Sequence, residues 1–286
     1  MKIKPILVTT TLVSAAIFAM TYKPAKVKSG KEEVAPVPAG TPGMVVLKID
    51  LPKPKFVGTP KPPITSIHVP NIEPLKPRGW KRPPFFVPEG TFNISVGKDV
   101  TSSDDMPLIG ELEMIVDGDK RGSEMSAVEL GPGKQWVQID LGERCDIYAV
   151  MIWRRYNYEN YTVYHDVVFQ ASDNENMKDA VAFFNNDHNN SSNLGFGNDM
   201  AYRESFKGKL INAKGARGRY VRMYSKGNYY SDFNYYTEVE VYGKPVENEM
   251  WIKKMAREKL DIPAVDQRRF VLQTLFPHLN DTRFRF

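Results

Sequence analysis

Short runs in which apolar and polar residues alternate fill the middle of this chain. Val137, Ile139 and Leu141 alternate with Trp136, Gln138 and Asp140, and residues 220–224 and 238–242 repeat the same two-residue period. That period sends successive side chains to opposite faces of a strand, so one face is buried and the other is polar. Residues 147–153 depart from it, because they are almost continuously apolar, as a strand covered on both faces is. Val167, Val168 and Phe169 form a further run. The joins are rich in Gly, Asn, Asp and Ser, which mark turns rather than helices. The pattern predicts an all-β domain over residues 89–245, an antiparallel sandwich or jelly roll.

Outside this domain the pattern changes. Residues 1–22 hold Lys2 and Lys4 followed by an apolar run, the order of a signal peptide. The run is also close to the roughly 20 residues that a membrane span needs, so a cleaved signal and a retained anchor both fit. Export to a bacterial periplasm or cell surface is the expectation from either. Residues 23–88 carry most of the prolines: 15 of the 21 lie from Pro24 to Pro88. Proline fixes φ and removes a donor, so this segment is expected to be extended. Apolar residues punctuate it at Met44, Val45, Val46, Leu47, Phe56, Val57, Ile64, Ile67, Val69, Trp80, Phe85, Phe86 and Val87. A pure spacer has no use for these; they read as anchors that dock either on the chain's own domain or on a larger partner. Residues 246–286 predict one helix over 246–260, a shorter one over 266–276, and a basic, aromatic ending. The two tails together suit a larger envelope or membrane complex as partner.

Charge divides the chain in the same places. Residues 1–88 hold 14 basic and 4 acidic residues, a balance of +10; residues 89–243 hold 16 and 24, a balance of −8; residues 244–286 hold 9 and 6, a balance of +3. The folded part is therefore acidic and repels phosphate, which excludes nucleic acid as a partner. A single cysteine, Cys145, leaves no internal disulfide framework. Four histidines, with no His-Glu-x-x-His, no Gly-x-Ser-x-Gly and no phosphate-cradling glycine loop, argue against an enzyme.

Five stretches of the domain resemble, in order, the motifs of the discoidin family, also called the coagulation factor V/VIII C-type domain, with the family 32 carbohydrate-binding modules among its bacterial relatives. They are Asn93-Ile94-Ser95-Val96-Gly97-Lys98-Asp99-Val100-Thr101-Ser102-Ser103, Val116-Asp117-Gly118-Asp119, Trp136-Val137-Gln138-Ile139-Asp140-Leu141-Gly142, Gly218-Arg219-Tyr220-Val221-Arg222 and Glu238-Val239-Glu240-Val241-Tyr242-Gly243. The resemblance implies an eight-stranded, galactose-binding-like jelly roll whose loops at one end bind ligand. Two features depart from the family: Gly122-Ser123-Glu124-Met125-Ser126 stands where a Thr-x-Trp is usual, and the terminal disulfide of many animal members is missing.

Two candidate sites follow. Asp117 and Asp119 place carboxylates in a sharp turn, and Ser123 and Glu124 offer further oxygens, as a hard cation requires. The resemblance implies that Asp117 and Glu238 share one structural Ca²⁺; an Asp-Gly turn without an ion is the plainer alternative. For the ligand, sugar recognition needs aromatic faces beside planar polar groups. Trp153, Arg154, Arg155 and Tyr156 leave the strand over 147–153; His188 lies in an Asn-rich loop; Tyr229, Tyr230 and Phe233 lie in a third loop. The resemblance implies an Arg and a His at the end of that strand, where Arg154 and Arg155 stand and His188 substitutes. The expected ligand is a glycan or a protein.

Overall fold

The computed structural model describes residues 41–53, 68–77, 79–121, 127–155 and 162–246. Two long antiparallel strands form its spine: β6 (Gln135–Trp153) and β11 (Lys209–Ser225). Gln135 faces Ser225 at one end, and Ile152 faces Lys209 at the other. The second half of β6 also pairs with β13 (Glu238–Pro245), and β13 with β3 (Phe92–Asn93). The first half of β6 pairs with β4 (Asp99–Ser102). Beyond β11 lie β8 (Val168–Ser172) and then β9 (Val181–Asn185). Three of the motifs that carried the family resemblance lie in β6, β11 and β13, the first runs from β3 through a turn to β4, and the Asp117 turn follows a 3-10 helix over Leu112–Val116.

This seven-stranded sheet closes over a separate pair, β5 (Val128–Pro132) with β12 (Phe233–Tyr236). Val137, Ile139, Val150, Ile152, Val221, Met223, Val239 and Val241 from the large sheet meet Val128, Leu130, Tyr236, Ile115 and Val116 in one dry core. Each fully buried aliphatic side chain there contributes about 1.5–3 kcal/mol. Two more antiparallel pairs complete the fold: β7 (Val163–Tyr164) with β10 (Tyr202–Arg203), and β1 (Met44–Val46) with β2 (Phe86–Pro88). The described residues thus hold thirteen strands against the eight expected, while the all-β, antiparallel architecture is as expected.

The apolar run 147–153 has a structural explanation. Val150 and Ile152 point into the main core, whereas Ala149, Met151 and Trp153 point to the opposite face. Ile147 also joins the main core, so the alternation slips at Tyr148. Both neighbouring strands change register there, β11 between Asn212 and Ala216 and β13 between Tyr242 and Gly243. An extra residue in one strand of a pair is a β-bulge, which re-aims the side chains that follow it.

The second face is covered by the proline-rich segment. Leu47, Ile49 and Phe85 pack on Ala149, Met151, Trp153, Leu210 and Tyr242. Further along, Val69 and Ile72 pack on Val163 and Ala201. Asn71 O accepts from Ala201 N (3.0 Å), Glu73 N donates to Ala201 O (2.8 Å), and Arg203 Nη1 donates to Glu73 O (2.8 Å). Of the anchors expected from sequence, Leu47, Val69 and Phe85 therefore dock on the chain's own domain. Phe56, Val57, Ile64 and Ile67 lie outside the described residues, as do residues 1–40 and the tail after Val246. Among the described residues no helix is long and apolar enough to cross a membrane.

Candidate functional site

At the end of the sheet where Gln135 meets Ser225, three connections come together: the β5–β6 turn, the β11–β12 loop and the β9–β10 loop. A buried amide, Asn234, fastens the first two. Its Nδ2 donates to Gly131 O and Gly133 O, both at 2.9 Å, and its Oδ1 accepts from Ser225 Oγ (2.7 Å) and Gly227 N (2.9 Å). All donor and acceptor capacity of the side chain is used in the interior. Gly227 has φ +73°, and a Cβ there would stand 2.2 Å from Ser231 O, so glycine alone fits this turn. Lys134 Nζ ties the β9–β10 loop to the β5–β6 turn through Ser192 O (2.8 Å). Asp187, buried at the base of that loop, accepts from Ser191 N (3.0 Å) and Ser192 N (2.7 Å). Tyr229 N donates to Val163 O (2.9 Å), which joins β7 to the same frame.

On this frame Tyr229 and Tyr230 are 39% and 47% exposed, with ring centroids 5.0 Å apart in an edge-to-face pair. Phe233 is half-buried at the start of β12. The exposed guanidinium of Arg155 lies 5.1 Å from the Tyr235 ring and 3.7 Å from Glu129 Oε2. Phe196 in the β9–β10 loop is exposed, as are Met106, Leu108 and Ile109; Leu108 N donates to Glu129 O, so the stretch 106–109 runs beside β5. His188 is half-buried in the β9–β10 loop beside Asp187. Tyr156 lies outside the described residues.

Two expected ligand residues do not reach the surface. Trp153 is 2% exposed and belongs to the face covered by the proline-rich segment. Its Nε1 donates to Phe206 O (3.0 Å), and Lys120 Nζ lies 4.9 Å from its ring. Strand alternation after the bulge sends it there. Arg154 points the other way into the interior, its guanidinium 5.0 Å from the Tyr164 ring and 4.4 Å from the Tyr236 ring, with Nη1 donating to Tyr235 O (3.3 Å). Both residues are scaffold rather than ligand contacts. Glu204 is the buried carboxyl near Arg154; burial pushes its pKa up to about 8, although the Ser205 N–H and the Arg154 charge work in the opposite direction.

The turn at Asp117 reaches the start of β13: Gly118 N donates to Glu238 Oε2 (3.0 Å). Glu238 is fully buried, and its Oε1 has no hydrogen-bond partner among the described residues. Burial raises its pKa to about 8, the neighbouring charges of Glu240 and Asp117 add to the rise, and the Gly118 N–H and Lys120 oppose it. A buried oxygen without a donor, facing a second carboxylate, is chemically suited to a hard cation. Asp119 is otherwise engaged: Arg121 Nε and Nη2 donate to its two oxygens at 2.6–3.1 Å, which holds the carboxyl below its ordinary range. Ser123 lies outside the described residues, and among the described residues no group of three or more His, Cys, Asp or Glu is arranged to hold a metal ion.

Asn234 and Glu204 are not among the residues expected here from sequence. The signal for Asn234 is its place in the Tyr229-Tyr230-Ser231-Asp232-Phe233-Asn234 run, two residues before Tyr236 on the inward face.

No protein-family model and no curated protein matches the chain. Several solved structures are similar to it. A fucose-binding module of Streptococcus pneumoniae is 20% identical, with 53% of this chain and 97% of that one covered and a TM-score of 0.39. A fucolectin from striped bass (Morone saxatilis) serum is 18% identical, covering 56% and 49%, with a TM-score of 0.42. A chitosan-binding module from a Paenibacillus chitosanase/glucanase is 17% identical, covering 53% and 99%, with a TM-score of 0.39.

Proposed function

We propose that this chain is an exported, non-catalytic binding protein whose loop end receives a glycan. The observation that carries the reading is the exposed, orthogonal pair Tyr229 and Tyr230 on a frame locked by Asn234. A pyranose stacks its C–H face on one ring while polar groups around it take the hydroxyls; Arg155 and the Asn-rich loop around His188 supply such groups. The frame is already rigid, so little ordering entropy opposes binding. A non-catalytic role is supported by the position of the two carboxyls with strongly raised pKa, Glu204 and Glu238, both too buried for a substrate to reach. Asp117 and Glu238 are the residues that would hold a structural Ca²⁺, fixing the turn to the last strand. Residues 1–22 serve as export signal or anchor in this reading, and residues 246–286 reach a larger envelope assembly. Leu47, Val69 and Phe85 are engaged by the domain itself, which leaves Phe56, Val57, Ile64 and Ile67 together with the C-terminal tail for such docking.

A second reading, a protein ligand at the same end, is favoured by the exposed apolar stretch Met106 (81%), Leu108 and Ile109 beside β5; monomeric proteins rarely leave large apolar patches uncovered. A glycan array probed with the full-length protein and with the Tyr229→Ala/Tyr230→Ala variant tests the first reading. Hits abolished in the variant support it. An empty array, with partner capture lost on Met106→Ser/Leu108→Ser, supports the second.

A further inference from the structure

Where the proline-rich segment passes the start of β11, basic residues of that segment meet basic residues of the domain. Lys76 Nζ lies 4.6 Å from the Trp80 ring centroid and Lys207 Nζ lies 5.2 Å from it. Lys207 Nζ also donates to Trp80 O. Arg82 is fixed beside them, with Nη2 donating to Lys207 O (2.7 Å) and Gly208 O (2.9 Å) and Nη1 to Met151 Sδ (3.1 Å). Lys209 follows on β11.

Against these four cations the described residues set one ionised carboxylate. Glu73 pairs with Lys209 and, at 3.3 Å, with Lys76. Burial works against its charge, but the two lysines hold its carboxyl below the ordinary range. Glu204 lies near Arg82 but is fully buried, and burial pushes its pKa up to about 8. Burial, then Arg82, then Lys76 push the Lys207 ammonium below its ordinary pKa, as expected where like charges accumulate. The accumulation is local. The domain as a whole carries −8 over residues 89–243, so general attraction of a basic segment to an acidic body does not explain cations on both sides of this seam.

We propose that the Trp80 seam is a second ligand site, for a sulfated or carboxylated sugar chain, with Lys76 and Lys207 contacting the anionic groups. Lys76 is 45% exposed and Lys81 beside it is exposed, so the charges reach solvent. Ammonium groups beside an aromatic ring suit an acidic sugar, whose ring finds an apolar edge while its anionic group finds donors. A membrane is the less suitable occupant. Among the described residues of the seam Leu75 is the one large exposed hydrophobic, and interfacial binding needs a broad apolar face.

The test is chosen to keep this site apart from the loop end. Full-length protein is titrated calorimetrically with a fully sulfated hexasaccharide and with its unsulfated counterpart at low and moderate salt. The expected result is binding of the sulfated form only, weakening as salt rises. The Lys76→Gln/Lys207→Gln variant should bind about tenfold more weakly or worse, while Tyr229→Ala/Tyr230→Ala binds as the wild type does. Lys81→Glu, at an exposed position, should weaken binding without affecting the melting temperature, and serves if the double variant does not fold. Equal affinity of wild type, Lys76→Gln/Lys207→Gln and Lys81→Glu overturns the proposal. So does binding to phosphatidylserine vesicles without binding to the sulfated hexasaccharide.

Discussion

The backbone N–H of Gly118 donates to Oε2 of Glu238 across 3.0 Å, joining residues 120 positions apart in the chain. This contact fixes the end of the 3-10 helix to the start of the last strand. Among the described residues the other oxygen of Glu238 is buried without a partner, and two predictions concern that group.

The first is a pH dependence. Glu238 and Glu204 keep their protons up to about pH 8 in the folded chain, whereas an ordinary glutamate releases its proton near 4.5. The folded state therefore binds more protons between these values, so the stability both groups contribute is complete below about pH 4.5 and is lost as pH rises toward 8. In chelator, the melting temperature should fall over that window, and Glu238→Gln should flatten the fall. Millimolar Ca²⁺ should raise the melting temperature of the wild type at pH 8 and leave Glu238→Gln unmoved. Calorimetry at several pH values, with and without Ca²⁺, reads all of this; a wild type indifferent to Ca²⁺ would count against the cation site.

Asn234 holds two loops by four hydrogen bonds, none exposed to water. Asn234→Ala removes the bonds to the Gly227 N–H and to two carbonyls, leaves the Ser225 hydroxyl only Tyr236 as a partner, and should cost about 2–4 kcal/mol. Asn234→Asp loses the two amide donors while keeping the acceptor, and should also be destabilised. Urea unfolding gives the magnitudes, and glycan binding at Tyr229 and Tyr230 should weaken in Asn234→Ala even where the protein remains folded.

The proline-rich segment is part of the domain's packing. Removing residues 1–88 uncovers Met151, Trp153 and Tyr242, which Leu47, Ile49 and Phe85 now cover. The shortened chain should melt lower, bind a hydrophobic dye and show red-shifted tryptophan emission. In the full chain, Phe85→Ala should cost about 1–3 kcal/mol, less than a fully buried phenylalanine because Phe85 is only partly buried. A melting curve identical to that of the intact protein would show that the segment is dispensable.

Arg154 tests scaffold against ligand contact. Its guanidinium is enclosed by Tyr164 and Tyr236, so Arg154→Ala leaves a cavity among polar groups and should cost about 3 kcal/mol or more. Arg155→Ala, at an exposed position, should cost less than about 1 kcal/mol yet weaken binding at the loop end. Parallel unfolding and binding measurements on the two variants separate these roles of adjacent arginines.

The sequence alone determined a good deal: where the main strands of the large sheet lie, that the domain is acidic between basic tails, and that residues 147–153 are covered on both faces. These follow from the two-residue period, from charge and from the matched motifs, all of which are local. It did not determine what covers the second face, because an apolar side chain reads the same whether its neighbour is the chain's own proline-rich segment or another protein. Nor did it tell Trp153 and Arg154 from surface residues. Alternation says which side chains share a face, but a one-residue bulge at Tyr148 shifts every assignment after it, and bulges leave little trace in composition. The closure of Asn234 over two loops and the meeting of Lys76 with Lys207 join groups more than 100 residues apart, and only the folded backbone brings such distances to a few ångströms.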